Sequence, residues 1–204
     1  MKRIILISVL PVLLLFLTTN NSKAQVKDNV VKLNLFGLIV GQYQMSYERA
    51  LNENLSVQLA AGLISREWDL SFGTATNTQK DNGFIIIPEV RYYFSEAPKG
   101  VYGGAFIRYR SVTNSVEYTT LDQNLNTINA KAELSRNAIG GGLLIGYQVL
   151  ISDAVAIDIQ LGPQYKSVST DFTPDANDPN TSISFEGEDS GVGVRFAVNF
   201  GIAF

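Results

Sequence analysis

From Val192 to Phe204 the chain alternates. Val192, Val194, Phe196, Val198, Phe200, Ile202 and Phe204 are large and apolar, while Gly193, Arg195, Ala197, Asn199, Gly201 and Ala203 between them are small or polar. Successive side chains of a strand point to opposite faces, so this segment predicts a strand with one apolar face. Seven more segments read the same way: Val30–Phe36, Gln42–Arg49, Leu55–Trp68, Gly83–Phe94, Val101 to at least Arg110, Asn137–Val149 and Ala154–Val168. In the second, Tyr43, Met45 and Tyr47 alternate with Gln44, Ser46 and Glu48; in the seventh, Val155, Ile157, Ile159 and Leu161 alternate with Asp158 and Gln160. Pro88 and Pro163 fall inside strands, where each removes a ladder hydrogen bond, and a bulge is expected at both.

The connections alternate in length. Ala50–Asn54, Ser95–Gly100 and Leu150–Asp153 are short; Leu70–Asn82, Ser111–Arg136 and Ser169–Ser190 read as long loops; the first hairpin, near Gly37–Gly41, is tight. Eight strands with short turns at one end and long connections at the other predict an all-β, eight-stranded antiparallel up-and-down barrel crossing a membrane. Tyr43, Tyr47, Tyr92, Phe94, Tyr109, Tyr147, Tyr165 and Phe200 stand near strand ends, as in an aromatic girdle. Alternation alone also fits the inverse, a soluble barrel with an apolar core and the charges in water. Gly and Ala opposite the apolar positions favour the membrane form, since a narrow lumen needs small residues.

The first residues read as an address. Lys2 and Arg3 precede an apolar run from Ile4 to Leu17, and Asn20 to Ala24 are small or polar. The run is shorter than the ~18 residues a spanning helix needs, so residues 1–24 are expected to be a cleaved secretory signal peptide and 25–204 the barrel domain. Without Lys2, Arg3 and Lys23, the 16 basic residues fall to 13 against 19 acidic ones, a net charge of −6, which argues against nucleic acid as a partner. The chain has no cysteine, hence no disulfides and no cysteine lipid anchor. It has no histidine either, which excludes Ser-His hydrolases and His-liganded metal sites.

The segments Lys32-Leu-Asn-Leu-Phe-Gly-Leu and Met45-Ser-Tyr-Glu-Arg-Ala-Leu-Asn-Glu-Asn-Leu-Ser-Val resemble the opening of small outer-membrane barrels of Bacteroidetes-type bacteria, a family catalogued as a domain of unknown function. Pro88-Glu-Val-Arg-Tyr-Tyr-Phe and Gly103-Gly-Ala-Phe-Ile-Arg-Tyr resemble its central hairpin. More distantly the plan is similar to OmpA- and OmpX-type barrels, although no peptidoglycan-binding segment follows Phe204 and that anchoring role is not expected. The closing strand with its final Phe204 resembles the terminal signature of such barrels. The resemblance implies residence in the cell outer membrane, contact with its lipids including lipopolysaccharide, and passage through the barrel-assembly machinery by way of the C-terminal strand.

The candidate sites are three. Lys32, Glu48, Glu89, Arg91, Arg108, Asp158 and Arg195 fall on the polar faces and are expected to pair as a structural network in the lumen, because an unpaired buried charge is costly; a gated ion path is the alternative. Asp171, Asp175, Asp178, Glu186, Glu188 and Asp189 crowd the last long connection. Their spacing matches no EF-hand, so a solvated acidic loop is expected and calcium contact is the lesser reading. Arg66, Arg110, Arg136 and Lys166 stand near the outer strand ends, where lipid phosphates or simple snorkelling would account for them. Gly140-Gly-Gly and Gly191-Val-Gly precede no Lys-Ser/Thr pair and are not phosphate loops.

These readings converge on a non-enzymatic outer-membrane barrel with no cofactor, either structural in the envelope or displaying external loops for adhesion or binding to an unknown ligand. A narrow channel is the alternative. A soluble periplasmic carrier and a lipid-acting barrel enzyme stand behind it.

Overall fold

The computed structural model describes residues 27–72, 75–121, 127–173 and 189–204. It is a closed antiparallel barrel in which every strand pairs with its neighbours in chain order and the last pairs with the first. The elements are β1 (Asn29–Asn34), α1 (Leu35–Ile39), β2 (Gln42–Ala50), β3 (Leu55–Phe72), β4 (Ala75–Tyr93), β5 (Gly100–Leu121), β6 (Thr127–Ile151), β7 (Val155–Thr173) and β8 (Gly191–Ala203). The signal-peptide segment lies outside the described residues. Among those described, no helix is long and apolar enough to cross a membrane.

The inverted arrangement is overturned. Leu143, Ile145 and Ile202 on the outside are 65%, 60% and 61% exposed, while Lys32, Glu48, Arg91 and Asp158 inside are fully buried. All eight aromatics of the expected girdle stand on the exposed outer face. The interior also holds an apolar patch in which Ile85, Ile87, Phe106 and Leu144 pack together with Tyr93 and Tyr102.

Three expectations about the elements need correction. Among the described residues the segments 70–82, 111–136 and 169–190 are largely strand where loops are expected, the last only up to Thr173, where β7 ends still paired with β6. β3 and β4 stay paired out to Phe72 and Ala75, and β5 and β6 out to Leu121 and Thr127. Strand pairing is a backbone property, so hairpins can continue past the apolar band with polar residues on both faces. The first strand ends at Asn34 rather than Phe36, because Leu35-Phe-Gly-Leu-Ile forms a turn of helix. Its N-cap is Asn34, whose side chain accepts from the Gly37 N–H at 2.8 Å, which meets one of the helix's unpaired donors. Neither proline makes a bulge. Between β4 and β5 the pairs at Ile87 and Pro88 are missing, and between β6 and β7 those at Gly162 and Pro163, yet the register is the same on both sides of each gap. A strand residue directs its N–H to only one neighbour, so proline breaks one ladder locally while the other, Leu59↔Pro88 or Pro163↔Val194, continues.

The strands are staggered. A row of partners leads from Val30 through Glu48, Gln58, Glu89, Phe106, Gly142 and Gln164 to Gly193. Val30 itself meets β8 at Ala203, ten residues from Gly193. This offset is the shear that closes the sheet and tilts its strands. Phe204 completes the seam: its N–H donates to the Asn29 carbonyl at 2.9 Å, and the Asn29 N–H returns a bond at 3.3 Å.

β1 and β2 are short, and this leaves one side of the wall low. β2 pairs with β3 only up to Gln42↔Ile64, and β1 with β8 only up to Asn34↔Asn199. Above them α1 crosses between β8 and β3. Phe36 packs edge-on against Phe196 with ring centroids 5.5 Å apart, and the Ser65 N–H donates to the Gly41 carbonyl at 3.0 Å. Gly41 is required there: its φ is +70°, and a Cβ would lie 2.6 Å from Cγ of Arg66.

Candidate functional site

The interior at the short-turn end holds a cluster of charges. β1 supplies Lys32, β2 Glu48, β4 Glu89 and Arg91, β7 Asp158 and β8 Arg195. Lys32 Nζ donates to Glu48 Oε2 at 2.5 Å, Gln148 Oε1 at 2.7 Å and Asp158 Oδ2 at 3.1 Å. Three ammonium protons thus meet three acceptors. Arg91 donates from Nε to Glu89 at 2.5 Å, from Nη1 to Glu48 and Asp158 at 3.1 Å each, and from Nη2 to Gln160 at 3.0 Å. Its guanidinium also lies over the Tyr102 ring, 4.4 Å from the centroid. Arg195 Nη1 reaches Glu89 Oε2 at 2.8 Å.

The carboxylates are saturated in turn. Glu48 Oε1 accepts from Ser56 at 2.6 Å and from the Tyr93 hydroxyl at 2.7 Å. Asp158 accepts from the Tyr102 hydroxyl at 2.6 Å and from Asn199 at 3.1 Å. Three cations face three carboxylates, so the cluster is formally neutral. In a low-dielectric interior such a network is stable only when nearly every member is satisfied.

The end of the barrel is closed by backbone as well. The connection between β4 and β5 folds under the cluster, with Ala97 and Pro98 buried. The Ala97 N–H donates to the Glu53 carbonyl at 2.7 Å, and Gln148 Nε2 donates to the Pro98 carbonyl at 2.5 Å. Asn54 Nδ2 ties the neighbouring turn to the carbonyls of Tyr93 and Ser95 at 3.0 and 2.6 Å.

Six of the seven residues expected in the lumen network meet here. Arg108 stands further along β5 and donates to Gln164 at 3.3 Å. Period-two reading did not single out the neutral partners Tyr93, Tyr102, Gln148, Gln160, Ser56 and Asn199, although their parity with Arg91, Asp158 and Glu48 carries the signal. The aromatic pair fits because of one glycine: a Cβ on Gly146 would lie 2.4 Å from the Tyr102 ring. Gly146→Ala is therefore expected to push Tyr102 off Asp158 and to cost about 1–3 kcal/mol as overpacking. Urea unfolding in detergent micelles, compared with Gly103→Ala where the nearest atom is 3.9 Å away, checks this.

The other candidates fall differently. Arg66, Arg110, Arg136 and Lys166 share the lumen-facing parity of Ile64, Val112, Leu134 and Gln164 and do not reach out to lipid, which corrects the rim reading. Arg136 donates to Asn114 at 3.2 Å, and Asn114 donates to Asp81. Asp171 and Asp189 are exposed; Asp175, Asp178, Glu186 and Glu188 lie outside the described residues. Among the described residues no group of acidic side chains could hold a metal ion.

A closed barrel, apolar outside and filled with paired charges inside, defines a small barrel of the outer-membrane type. The chain belongs to the family described as "Protein of unknown function (DUF3575)", which matches residues 10–195. No curated protein matches it. Similar solved structures include two crystal structures. That of Acinetobacter baumannii CarO is 11% identical with a TM-score of 0.49, over 90% of this chain and 100% of that one. That of Acinetobacter baumannii CarO2 is 13% identical with a TM-score of 0.44, over 87% of this chain and 96% of that one.

Proposed function

We propose that this protein is a non-enzymatic integral protein of the cell outer membrane, a closed barrel that strengthens the envelope and carries its long hairpins on the outer surface as binding or adhesion elements. The observation that carries this reading is the formally neutral ion-pair cluster, its carboxylates each held by several donors, inside a cylinder whose outer face is apolar. The apolar band suits lipid, including lipopolysaccharide. The cluster and the folded-under turn at Ala97 and Pro98 fill that end of the barrel with buried side chains and backbone. Rigid strands that rise past the band place variable segments where an external partner could meet them.

The test has two parts. In fractionated cells the protein is expected with the outer membrane, and its folded band is expected to migrate differently from the boiled one in detergent gels. Recovery in the soluble fraction without a shift would overturn the membrane placement. In planar bilayers the folded protein is expected to stay at baseline conductance, as is the variant with Arg108→Met and Glu89→Gln. Steady single-channel currents from the unaltered protein would replace the closed-barrel reading with the channel.

A further inference from the structure

On the outside of the barrel, near its short-turn end, four strands frame a groove of about 560 Å³. Arg49, Val57, Val90 and Ala105 form one outward row in register across β2 to β5. Tyr47, Leu59 and Pro88 form the next row, and Ile107 follows Ala105 on the same face of β5. Pro88 and Ala105 are small beside Tyr47, Leu59 and Ile107, so the wall dips between larger neighbours. The dip lies where Pro88 interrupts the β4–β5 ladder. Leu59, Val90 and Ile107 along it are exposed. Gln58, Glu89 and Phe106 also border the groove, but their side chains are buried on the inner face, so their main chain forms its floor.

One end of the groove is charged. Arg49 lines it, is the next-to-last residue of β2 and is exposed. Its outward parity separates it from the interior cluster, and among the described residues its side chain makes no hydrogen bond or ion pair. Tyr47 and Tyr92 of the aromatic girdle stand close to it along their strands, where an apolar band gives way to headgroups. A guanidinium there offers a planar fork that suits phosphate oxygens. The groove is thus an apolar trough with one free cation at its headgroup end. Its volume falls within the range of small-ligand sites, about 300–1,000 Å³. A protein partner would need on the order of 800 Å² of matching surface, whereas this trough spans two outward rows on four strands.

We infer that this groove docks a glycerophospholipid of the leaflet at the short-turn end, with an acyl chain over Pro88 and Ala105 and the phosphate on Arg49. A chain lying in a trough is touched on several sides, whereas a flat wall touches it on one, so dispersion contacts favour the trough. The charge sets the orientation. The phosphate stays at Arg49 and the chain runs toward Ile107, the direction a lipid of that leaflet already takes. The inference rests on the membrane placement proposed above and adds one specific lipid site to it. Its readout is binding to purified protein rather than location in cells, so each can fail alone.

Native mass spectrometry of the folded full-length protein in non-ionic detergent, titrated with phosphatidylglycerol, tests it. The expected result is one saturable lipid adduct per barrel, weakened at least ~10-fold in Arg49→Gln, in line with the loss of a charged hydrogen bond. Ala105→Phe, which fills the trough, is expected to weaken it as much. Diacylglycerol with the same chains, which lacks the phosphate, is expected to bind the unaltered protein no better than phosphatidylglycerol binds Arg49→Gln. Two controls are expected to bind like the unaltered protein: Lys99→Gln, a cation on an exposed turn at the same end, and Val192→Phe on the exposed face of β8. The heat shift on gels shows that each variant is folded. No saturable adduct, equal binding by Arg49→Gln or Ala105→Phe, or an equal loss in Lys99→Gln would overturn the site. A dimer that Ala105→Phe dissociates would give the groove to a second copy and would overturn it too.

Discussion

Arg91→Met is expected to lower the unfolding free energy by about 3–5 kcal/mol, the usual cost of removing one partner from a buried charge cluster. Arg91 meets Glu48, Glu89, Asp158 and Gln160 at once. Without it three buried carboxylates share Lys32 and Arg195, and the neutral cluster becomes an anionic one. Urea unfolding in detergent micelles, followed by the gel shift and by tyrosine fluorescence, measures the loss. Arg91→Lys should recover only part of it, because an ammonium offers three donors and cannot span the four acceptors in the fork geometry of a guanidinium. The variant combining Arg91→Met with Glu48→Gln should be more stable than the sum of the two single losses predicts, since it removes one of the stranded charges; coupling within such a network runs to about 0.5–3 kcal/mol. A loss under ~1 kcal/mol for Arg91→Met would mean that water reaches the carboxylates, and the end would not be sealed.

The second large effect is expected in cells rather than in the test tube. Phe204→Ala keeps the two backbone bonds to Asn29 that close the seam and removes only the terminal ring. Refolding in micelles should therefore change by less than ~1 kcal/mol, as for other substitutions outside a packed core. If the C-terminal strand is read by the barrel-assembly machinery, the amount of folded protein in the membrane should nevertheless fall severalfold. Quantifying the unboiled band against total protein in cells, beside the refolding yield of purified protein, separates the two. Equal falls in both would assign Phe204 to the seam alone. Deleting Phe204 outright should add the loss of its backbone bonds, about 1–3 kcal/mol.

The departures in the backbone share one cause: side-chain pattern is weak evidence about strand pairing. The stretch 111–121 breaks its apolar parity of Val112, Val116 and Tyr118 with Asn114 and Thr120, which suggests a loop, yet its backbone stays paired with β6 throughout. Pro88 signals a lost donor, but whether the chain answers with a bulge or with a local gap depends on which neighbour that donor would have faced. Leu35 and Phe36 continue an apolar run, and a five-residue helix cannot be told from a strand end over so short a stretch.

The charged residues of the candidate site were legible because their type and parity are local properties: Lys32, Glu48, Arg91 and Asp158 each sit opposite apolar neighbours within their own strands. Their neutral partners carried the same parity without a distinguishing charge. Arg66, Arg110, Arg136 and Lys166 fall near strand ends, which suggests the rim, whereas their parity points inward.

Sequence alone determined which side chains share a face, because period two is written into each strand; that the apolar face is the outer one was decided by the closed barrel, with Lys32, Glu48, Arg91 and Asp158 buried inside it. Tertiary structure decided which inward residues meet. Lys32 and Asp158 are 126 positions apart, and they touch because β8 closes onto β1 with a ten-residue offset. That offset tilts the strands and brings side chains from different rows to one level. It is a property of the closed ring, since no single strand or hairpin contains it, and it gathers the charged cluster at one end.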